Sequence, residues 1–477
     1  MSSAPIIVWF RQDLRVTDNP ALCAAVATGR PVIPLYILDQ SSDGLRPMGG
    51  ASLWWLHGSL ESMGHHLQNL GAPLTLKKGS AKEVLGQLIA ETGADTVYWN
   101  RCYEPGAIAR DKAIKNTLQN DGLYAKSFNG SLLYEPWEIR TKQDKPYRMF
   151  TPFYRMVLSQ GTPIQPLPKP KQIIPCDVPP KSDYLDDWSL QPTRPNWAAS
   201  FPEFWSRGEL GAQTLLSDFL NGGVAAYKTE RDFPGVAATS RLSPHLHFGD
   251  ISPRQIWASA STIEPTAGSE TFLKEVVWRE FGYHLLYYNP AMTTAPLQTK
   301  FNAFPWAKND PHLVAWKTGQ TGYPMIDAGM RELWATGTMH NRVRMVVASF
   351  LVKHLLIHWR EGEAWFWDAL VDADLASNSA NWQWVSGCGA DAAPYFRIFN
   401  PITQGERFDA DGTYVRRWVP EIAGVSNQYI HKPWDAPKAT LLEAGVSLGD
   451  TYPRPIVDHK VARKKALAAL ASIKQAD

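Results

Sequence analysis

The residues best suited to chemistry in this 477-residue sequence lie together between Val371 and Trp384. This stretch contains two carboxylates, two asparagines and two tryptophans. Asp372, Asp374 and Asn378 recur at helical spacings, so a single short helix could direct all three side chains at one ligand. Because Asp and Asn also open helices routinely, a cluster that only caps a helix explains the same residues equally well.

A second candidate is a hydroxyl-rich turn, Thr239-Ser-Arg-Leu-Ser-Pro244, which follows Arg231-Asp-Phe-Pro234 and precedes a predicted helix. Free backbone N–H groups and the helix dipole at such a position favour a phosphate or a diphosphate. An ordinary Ser/Thr cap with proline in the first turn has the same pattern. Taken alone, the turn favours the cap.

Two predicted helices also present polar side chains. Glu275 and Trp278 lie within one helical turn, where a carboxylate beside an indole could bind a flat polar ring by hydrogen bonding and stacking. A salt bridge on a packed helix is the alternative. Asn341 and Arg344 share one side of a helix whose continuation is apolar. We therefore expect Arg344 to be buried and to pair with a carboxylate such as Asp372.

The composition of the whole chain limits the remaining possibilities. A formal net charge of +2 gives little long-range attraction, so any nucleic-acid site must be a local patch. There is no signal-peptide pattern and no apolar run of membrane length, which predicts a protein of the reducing cytoplasm without a membrane anchor. The 20 tryptophans indicate extensive aromatic packing or a use for the indole itself. Four cysteines without paired spacing argue against zinc or other metal sites and against a disulfide framework: Cys23, Cys102, Cys176 and Cys388.

Residues 1–130 alternate short apolar runs with helical patterns, which predicts a Rossmann-like parallel α/β domain. No Gly-x-Gly-x-x-Gly follows the first run, so the usual dinucleotide site is not supported. Arg11, Asp39 and residues 100–104 follow predicted strands and should face the crevice at their carboxyl ends. The predicted strands are Ile6–Phe10, Val32–Leu38, Pro73–Leu76 and Thr96–Trp99, and the predicted helices are Pro20–Ala27, Ala51–Leu70, Ala81–Thr92 and Ala107–Gln119.

Ten prolines occur between Pro163 and Pro202, a density that forbids regular helices and central strands. Residues 131–202 are therefore predicted to be a long connector. The α/β alternation does not return after it, and residues 203–477 are predicted to form an all-α domain. The predicted helices are Glu209–Leu220, Glu270–Tyr288, Met325–Ala335, Met339–Arg360, Glu363–Asp372 and Val461–Ile473.

Several long motifs, in order along nearly the whole chain, resemble those of the DNA photolyase/cryptochrome family. The resemblance is nearest to bacterial cyclobutane pyrimidine dimer photolyases, in the class III branch related to plant cryptochromes. The motifs are Trp9-Phe-Arg-Gln-Asp-Leu-Arg15, Arg231-Asp-Phe-Pro234, Thr239-Ser-Arg-Leu-Ser-Pro244, Trp278-Arg-Glu-Phe281, Met339-His-Asn-Arg-Val-Arg-Met345, Asp372-Ala-Asp374, Asn381-Trp-Gln-Trp384 and Asp391-Ala-Ala-Pro-Tyr-Phe-Arg-Ile-Phe-Asn400.

The resemblance implies an FAD cofactor in the helical domain, fully reduced in the active form. Arg344, Asp372 and Asp374 would contact the isoalloxazine and its neighbours. Asn378 matches the position that faces flavin N5, where plant cryptochromes have Asp and a neutral amide suits a repair enzyme. The residues that would hold the phosphates and the ribityl chain are Tyr227, Thr239, Ser240, Arg241, Leu242 and Ser243.

The resemblance also implies light-driven repair of cyclobutane pyrimidine dimers in damaged DNA, by electron transfer from the cofactor to a flipped-out dimer. Catalytic roles would fall to Glu275, Asn341, Met345 and Asn378. Trp278 and Trp384 would flank the lesion. The residues expected to contact the DNA backbone around it are Arg231, Arg342 and Gln404.

Trp382, Trp359 and Trp306 match the family's chain of electron-hopping tryptophans. A second, light-harvesting chromophore in the α/β domain is also implied, a methenyltetrahydrofolate in preference to a deazaflavin. Its expected contacts are Arg11, Asn100 and Glu104.

A photosensor of the cryptochrome type and a (6-4) photolyase are the alternatives within this family. Asn378 and the complete set of dimer-pocket residues favour repair over signalling, as does a chain that ends at position 477 without a long tail. The sequence His340-Asn341 stands where (6-4) photolyases have a His-His pair, so the second histidine is missing. We expect a monomer.

Overall fold

The computed structural model describes residues 3–392 and 396–474, so part of the motif at 391–400 lies outside the described residues. Within them, five parallel strands form one sheet in the order β3-β2-β1-β4-β5. The strands are β1 Ile6–Phe10, β2 Val32–Leu38, β3 Thr75–Lys78, β4 Thr96–Asn100 and β5 Tyr124–Phe128. The prediction of a parallel N-terminal α/β domain is confirmed.

Strand β1 explains how the sheet is stabilised, because all five of its residues are buried. Ile6, Val8 and Phe10 pack into one hydrophobic cluster, and Ile7 and Trp9 pack into another. Alternate side chains of a strand point to opposite faces, so both faces of the sheet are covered.

The strand predictions failed in two places. The third strand begins at Thr75, two residues later than predicted, because Pro73 cannot donate a backbone hydrogen bond to the ladder. Strand β5 was missed. Its sequence, Tyr-Ala-Lys-Ser-Phe, is partly polar, which suits an edge strand that pairs with β4 alone.

The chain forms two compact units. The first comprises Met1–Ala225, Ser240–Pro290 and Val371–Ala376, and the second comprises Ala226–Thr239, Ala291–Leu370 and Ser377–Asp477. The helices of the first half of the chain are α1 Pro20–Val26, α2 Gly50–Leu70, α3 Ala81–Thr92, α4 Pro105–Asn120, α5 Phe150–Ser159, α6 Glu209–Asp218, α7 Tyr227–Glu230, α8 Ser243–Phe248, α9 Pro253–Ala260 and α10 Ala267–Tyr288.

The C-terminal part of the chain is helical, as predicted. Its helices are α11 Asp310–Lys317, α12 Pro324–Thr336, α13 Asn341–Ser349, α14 Trp359–Ala369, α15 Leu375–Ser386, α16 Pro401–Phe408, α17 Thr413–Trp418, α18 Lys438–Glu443 and α19 His459–Lys474. No helix in the described part of the chain is long and apolar enough to cross a membrane.

The prediction of one helix over Met339–Arg360 was wrong. After α13 the chain makes a π-helical turn and then places Leu356 in the left-handed region, with φ of 54°. His358 starts α14, because its Nδ1 accepts a hydrogen bond from the backbone N–H of Arg360 at 3.1 Å. Hydrophobic periodicity does not predict this break, because a single histidine cap barely changes the pattern of an apolar run. Helix α14 also ends at Ala369, before the predicted Asp372.

Candidate cofactor and lesion sites

The stretch at 371–384 is not a single helix carrying three ligands. Helix α15 begins at Leu375, so Asn378 lies on the helix whereas Asp372 and Asp374 lie on the segment before it. The prediction that one helix directs all three side chains was wrong. The alternative, that an aspartate opens a helix here, fits the position of Asp374 immediately before Leu375.

Asp374 is a buried anion of the first unit. It is 6% exposed, Tyr283 donates a phenolic hydrogen bond to its Oδ2, and His247 Nδ1 lies 3.6 Å from the same oxygen. Burial by itself raises the pKa of Asp374. The electrostatic attraction of the nearby His247 and Arg279, together with the hydrogen bond from Tyr283, outweighs burial and holds the pKa well below its usual range. The carboxylate is therefore ionised at neutral pH.

The hydroxyl-rich turn does precede a short helix, as its sequence predicted. Helix α8 begins at Ser243 with Pro244 in its first turn, and the Ser243 hydroxyl donates to Asp372 Oδ2 at 2.6 Å. Arg241, with φ of 54°, donates to the carbonyl of Phe204 at 2.8 Å. Hydroxyls and carboxylates are thus gathered on this unit, and this donor set fits the polar groups of FAD.

Asn378, on the second unit, is 7% exposed, and its amide orientation is determined by Glu363. Asn378 Nδ2 donates to the backbone carbonyl of Glu363 at 3.1 Å and to its Oε1 at 2.7 Å. A carboxylate only accepts, so the amide group that faces it must be the nitrogen. Among the described residues nothing donates to Asn378 Oδ1, and the buried Ser379 hydroxyl also lacks a partner. These atoms suit a bound flavin.

Two other proposed cofactor contacts, Tyr227 and Arg344, belong to the second unit. Tyr227 is 7% exposed. The central guanidinium carbon of Arg231 lies over the Tyr227 ring, 5.2 Å from the centre of that ring. Arg344 is half-buried, less than predicted, and its Nε donates to the carbonyl of Met339 at 2.7 Å. The pairing of Arg344 with Asp372 stays a prediction.

Glu275 and Trp278 lie on α10 in the first unit. Glu275 is half-buried and Trp278 is 37% exposed, so both can reach a ligand at the surface of this helix. One face of the Trp278 indole is covered by Phe150, with ring centres 3.5 Å apart and planes 6° apart.

On the second unit, Asn341 is exposed at the start of α13, and Met345 is half-buried one turn later. Trp384 is half-buried, and its Nε1 donates to the carbonyl of Asp391 at 3.2 Å. Met345 and Trp384 therefore each keep part of their apolar surface accessible, and Asn341 keeps its amide accessible.

Arg342 and Gln404 each have a buried polar atom that is available to a ligand. Arg342 Nη2 pairs with Asp232 Oδ2 at 2.8 Å, and its guanidinium lies 4.4 Å from the ring centre of Phe408. Arg342 Nε and Gln404 Oε1 are nevertheless buried, and neither atom has a hydrogen-bond partner within residues 3–392 and 396–474. Unsatisfied buried polar atoms are rare in native proteins, so these two atoms are candidates for contact with a ligand.

The three tryptophans proposed for electron transfer all belong to the second unit. Trp359 and Trp382 are 1% and 3% exposed, and Trp306 is half-buried. The His358 ring lies 4.9 Å from Trp306 and 5.6 Å from Trp359, so it links these two indoles. The ring centres of Trp382 and Trp316 are 6.2 Å apart, a contact that no pattern in the sequence predicts.

The proposed antenna residues are mostly engaged with the protein itself. Arg11 pairs with Asp111 at 2.8 Å and also donates to the carbonyl of Asn100. The Asn100 amide nitrogen donates to Asp13 at 2.6 Å and to Asn19 at 2.9 Å. These polar side chains therefore bond to one another at the carboxyl ends of β1 and β4.

Glu104 differs from the other two antenna candidates. It is half-buried and accepts one hydrogen bond from Gln12 at 3.0 Å. Burial raises the pKa of its carboxyl group. Across the described residues, no group of three His, Cys, Asp or Glu side chains is arranged to hold a metal ion.

Comparison with known proteins places these features in a family. Residues 272–472 match the family model of the FAD binding domain of DNA photolyase, and residues 6–171 match the DNA photolyase model. The chain is 53% identical to the deoxyribodipyrimidine photo-lyase of Agrobacterium fabrum over 478 residues, which is 100% of this chain and 99% of the relative. It is 40% identical to cryptochrome-1 of Arabidopsis thaliana, over 98% of this chain and 70% of the relative.

Solved structures agree with this assignment. The crystal structure of a bacterial class III photolyase from Agrobacterium tumefaciens matches with a TM-score of 0.97 and 53% identity, and covers 100% of this chain and 98% of that one. A cryptochrome of Synechocystis matches with a TM-score of 0.89 and 29% identity, over 98% of this chain and 100% of that one. The chain belongs to the DNA photolyase family.

Proposed function

We propose that this chain is a deoxyribodipyrimidine photo-lyase, which uses light to repair cyclobutane pyrimidine dimers in DNA. The observation that carries the proposal is 53% identity to a deoxyribodipyrimidine photo-lyase along essentially the full length of both chains. The dimer-pocket side chains expected of such an enzyme are all present, on α10, α13 and α15.

When bound, fully reduced and light-excited FAD would supply the electron that splits the dimer and would receive it back after cleavage, so the repair is redox-neutral. The protein binds and orients it. The side chains proposed to hold it are Tyr227, Thr239, Ser240, Arg241, Leu242, Ser243, Arg344, Asp372, Asp374 and Asn378. Asn378 would offer Oδ1 to the flavin, because its amide nitrogen is engaged by Glu363. As an acceptor, this oxygen would suit the N–H that a reduced flavin carries at N5. Asp374, ionised and buried, can accept from a ring N–H.

The dimer is positioned by side chains rather than by acid–base chemistry. Trp278 and Trp384 provide aromatic faces for the two bases, and Met345 fills the apolar gap. Glu275 and Asn341 hydrogen-bond the base edges and stabilise charge that the dimer receives. Enzymes of this class flip the target out of the duplex. Arg231, Arg342 and Gln404 contact the backbone beside it.

Trp382, Trp359 and Trp306 are proposed to return electrons to an oxidised cofactor, with Trp306 nearest to solvent. For the antenna we propose methenyltetrahydrofolate, with a deazaflavin as the alternative. Of its three candidate contacts, Glu104 is the best supported, because Arg11 and Asn100 are engaged with Asp111, Asp13 and Asn19.

We further propose that the enzyme is a monomer of the bacterial cytoplasm. Its antenna domain would comprise residues 1–130, its connector residues 131–202 and its FAD-binding catalytic domain residues 203–477.

The test is repair of an oligonucleotide that contains one thymine cyclobutane dimer, by purified and chemically reduced protein under blue light. A dark sample and a sample with a (6-4) photoproduct are the controls. Repair of the cyclobutane dimer but not of the (6-4) photoproduct, in light but not in the dark, supports the proposal. Absence of repair by protein that retains FAD would favour the second candidate, a cryptochrome-type photosensor, which the 40% identity to cryptochrome-1 of Arabidopsis brings into consideration.

A further inference from the structure

Helix α5 lies inside the segment that the sequence predicts to be only a connector, and it packs against the proposed lesion-binding tryptophan. Phe150, the first residue of α5, is 2% exposed. Its ring stacks on the Trp278 indole with centres 3.5 Å apart and planes 6° apart. Both residues belong to the first unit of the chain.

The stack extends beyond this pair. Tyr154, one turn further along α5, stacks on Phe150 with ring centres 5.7 Å apart and planes 21° apart. Lys274, one turn before Trp278 on α10, places its Nζ 5.8 Å from the Phe150 ring centre and 5.6 Å from that of Tyr154. Phe281 contacts the Trp278 indole edge-on at 5.9 Å. Trp278 therefore has one covered face and one supported edge.

A covered face has a direct consequence for binding. A tryptophan at 37% exposure on a helix surface can adopt several orientations unless its neighbours restrain it. Restraint before binding reduces the entropy lost when a base stacks on the ring. The almost parallel overlap with Phe150 restrains the plane of the indole and leaves the opposite face for a ligand.

We propose that Phe150 is a positioning residue for dimer recognition, which holds the Trp278 indole so that its free face stacks on the flipped lesion. The inference rests on the proposed function, because it requires Trp278 to contact the dimer. Phe150 itself touches neither the dimer nor the cofactor in this proposal.

The test replaces Phe150 by leucine in the FAD-loaded, full-length enzyme. Stacking of a base on an aromatic side chain contributes a factor of about ten or more to binding. We expect Phe150→Leu to weaken binding of a dimer-containing oligonucleotide and to raise its KM by about threefold to tenfold. Binding of undamaged DNA, and kcat under saturating substrate and light, should not change.

Phe153→Leu is the matched control. Phe153 is equally buried on the same helix, but its ring contacts Phe281 and His284 and makes no stack on Trp278. Both substitutions remove the same atoms from the same core, so a purely structural loss would weaken dimer binding equally in both. Equal effects, or no effect of Phe150→Leu, would overturn the proposal. If Phe150→Leu fails to retain FAD, Phe150→Met provides the same comparison with a longer apolar chain.

A spectroscopic measurement separates this inference from the proposed function. Protein labelled with 5-fluorotryptophan gives a ¹⁹F signal for Trp278, identified as the one absent in Trp278→Phe. Phe150→Leu should shift and broaden this signal, and Phe153→Leu should leave it in place. An unchanged signal in Phe150→Leu would contradict the positioning role. Phe150→Leu could shift the Trp278 signal while Trp278→Ala still binds the dimer normally. In that case Trp278 does not contact the lesion, and the proposed positioning role of Phe150 is wrong as well. Phe150→Leu should add no further loss of affinity in a Trp278→Ala background.

Discussion

The amide nitrogen of Asn378 donates to two oxygens of one residue, Glu363, at 3.1 Å to the backbone carbonyl and 2.7 Å to the side chain. The arrangement determines which end of the amide is free. Oδ1 is an acceptor. In the proposed site it would distinguish a reduced flavin, whose N5 carries a hydrogen, from an oxidised one, whose N5 does not.

The first prediction concerns Glu363→Gln. A glutamine can donate as well as accept, so Asn378 can turn its nitrogen towards the flavin, which favours the oxidised form. We expect the two-electron midpoint potential of bound FAD to fall by about 20 mV, the equivalent of one hydrogen bond of about 1 kcal/mol. Spectroelectrochemical titration measures it. Glu361→Gln, at an exposed position two residues away, should leave the potential unchanged.

Glu275→Ala should lower repair and leave the cofactor in place. Hydrogen bonds to charged groups contribute about 1.5–3 kcal/mol, so repair under limiting light should fall about tenfold or more. The FAD absorption of the purified variant should equal that of the wild type. Glu270→Ala, at an exposed position on the same helix, is the control. A variant purified without FAD would show that Glu275 has been assigned to the wrong site.

Trp382→Phe should affect the photoreduction of oxidised FAD but not the repair of the dimer. Phenylalanine is much harder to oxidise than tryptophan, so photoreduction of oxidised FAD should become at least tenfold slower. Repair by enzyme that was reduced chemically beforehand should remain close to the wild-type rate. Transient absorption and the repair assay measure the two quantities. Trp367→Phe, also buried, should change neither, and a loss of repair in Trp382→Phe would contradict the assignment.

Arg342 should contribute to DNA binding through charge. Arg342→Ala removes one phosphate contact, so affinity for damaged and undamaged DNA should fall together, and the slope of log K against log salt should decrease by about one. Asp232, which pairs with Arg342 at 2.8 Å, would compete with DNA for this guanidinium. Asp232→Asn should therefore raise affinity. Filter binding across a salt series tests both, and equal slopes in all three proteins would exclude the contact.

Stability should fall in mild acid because of His354. Burial, and to a lesser extent His459, lowers the pKa of His354 to about 3, against about 6.5 in an unfolded chain. The unfolded state therefore binds more protons below about pH 6.5, and this group lowers stability by about 1.6 kcal/mol between pH 6.5 and 5. The free energy of unfolding of His354→Phe, measured by urea titration, should not show that part of the decrease. The exposed His65→Gln should follow the wild-type curve.

Much of the architecture follows from local sequence. Strands Ile6–Phe10 and Val32–Leu38 and helix Ala81–Thr92 have the predicted bounds, because short apolar runs and amphipathic periodicity are properties of neighbouring residues. The family also follows from the sequence, because its motifs are long contiguous strings. Strand β5 did not, because an edge strand is stabilised by its partner rather than by its own apolar pattern.

The functional geometry depended on contacts between residues distant in sequence. No local pattern reveals that Glu363 orients the amide of Asn378, fifteen residues later. Nor does any pattern reveal that the Asn100 side chain donates hydrogen bonds to Asp13 and Asn19. The stack of Phe150 on Trp278 joins residues from a predicted connector and a predicted helix. The sequence by itself determined which chemical groups are present and on which elements. Only the tertiary structure decided which atoms of those groups remain free, because hydrogen bonds and ring contacts form between elements that folding brings together.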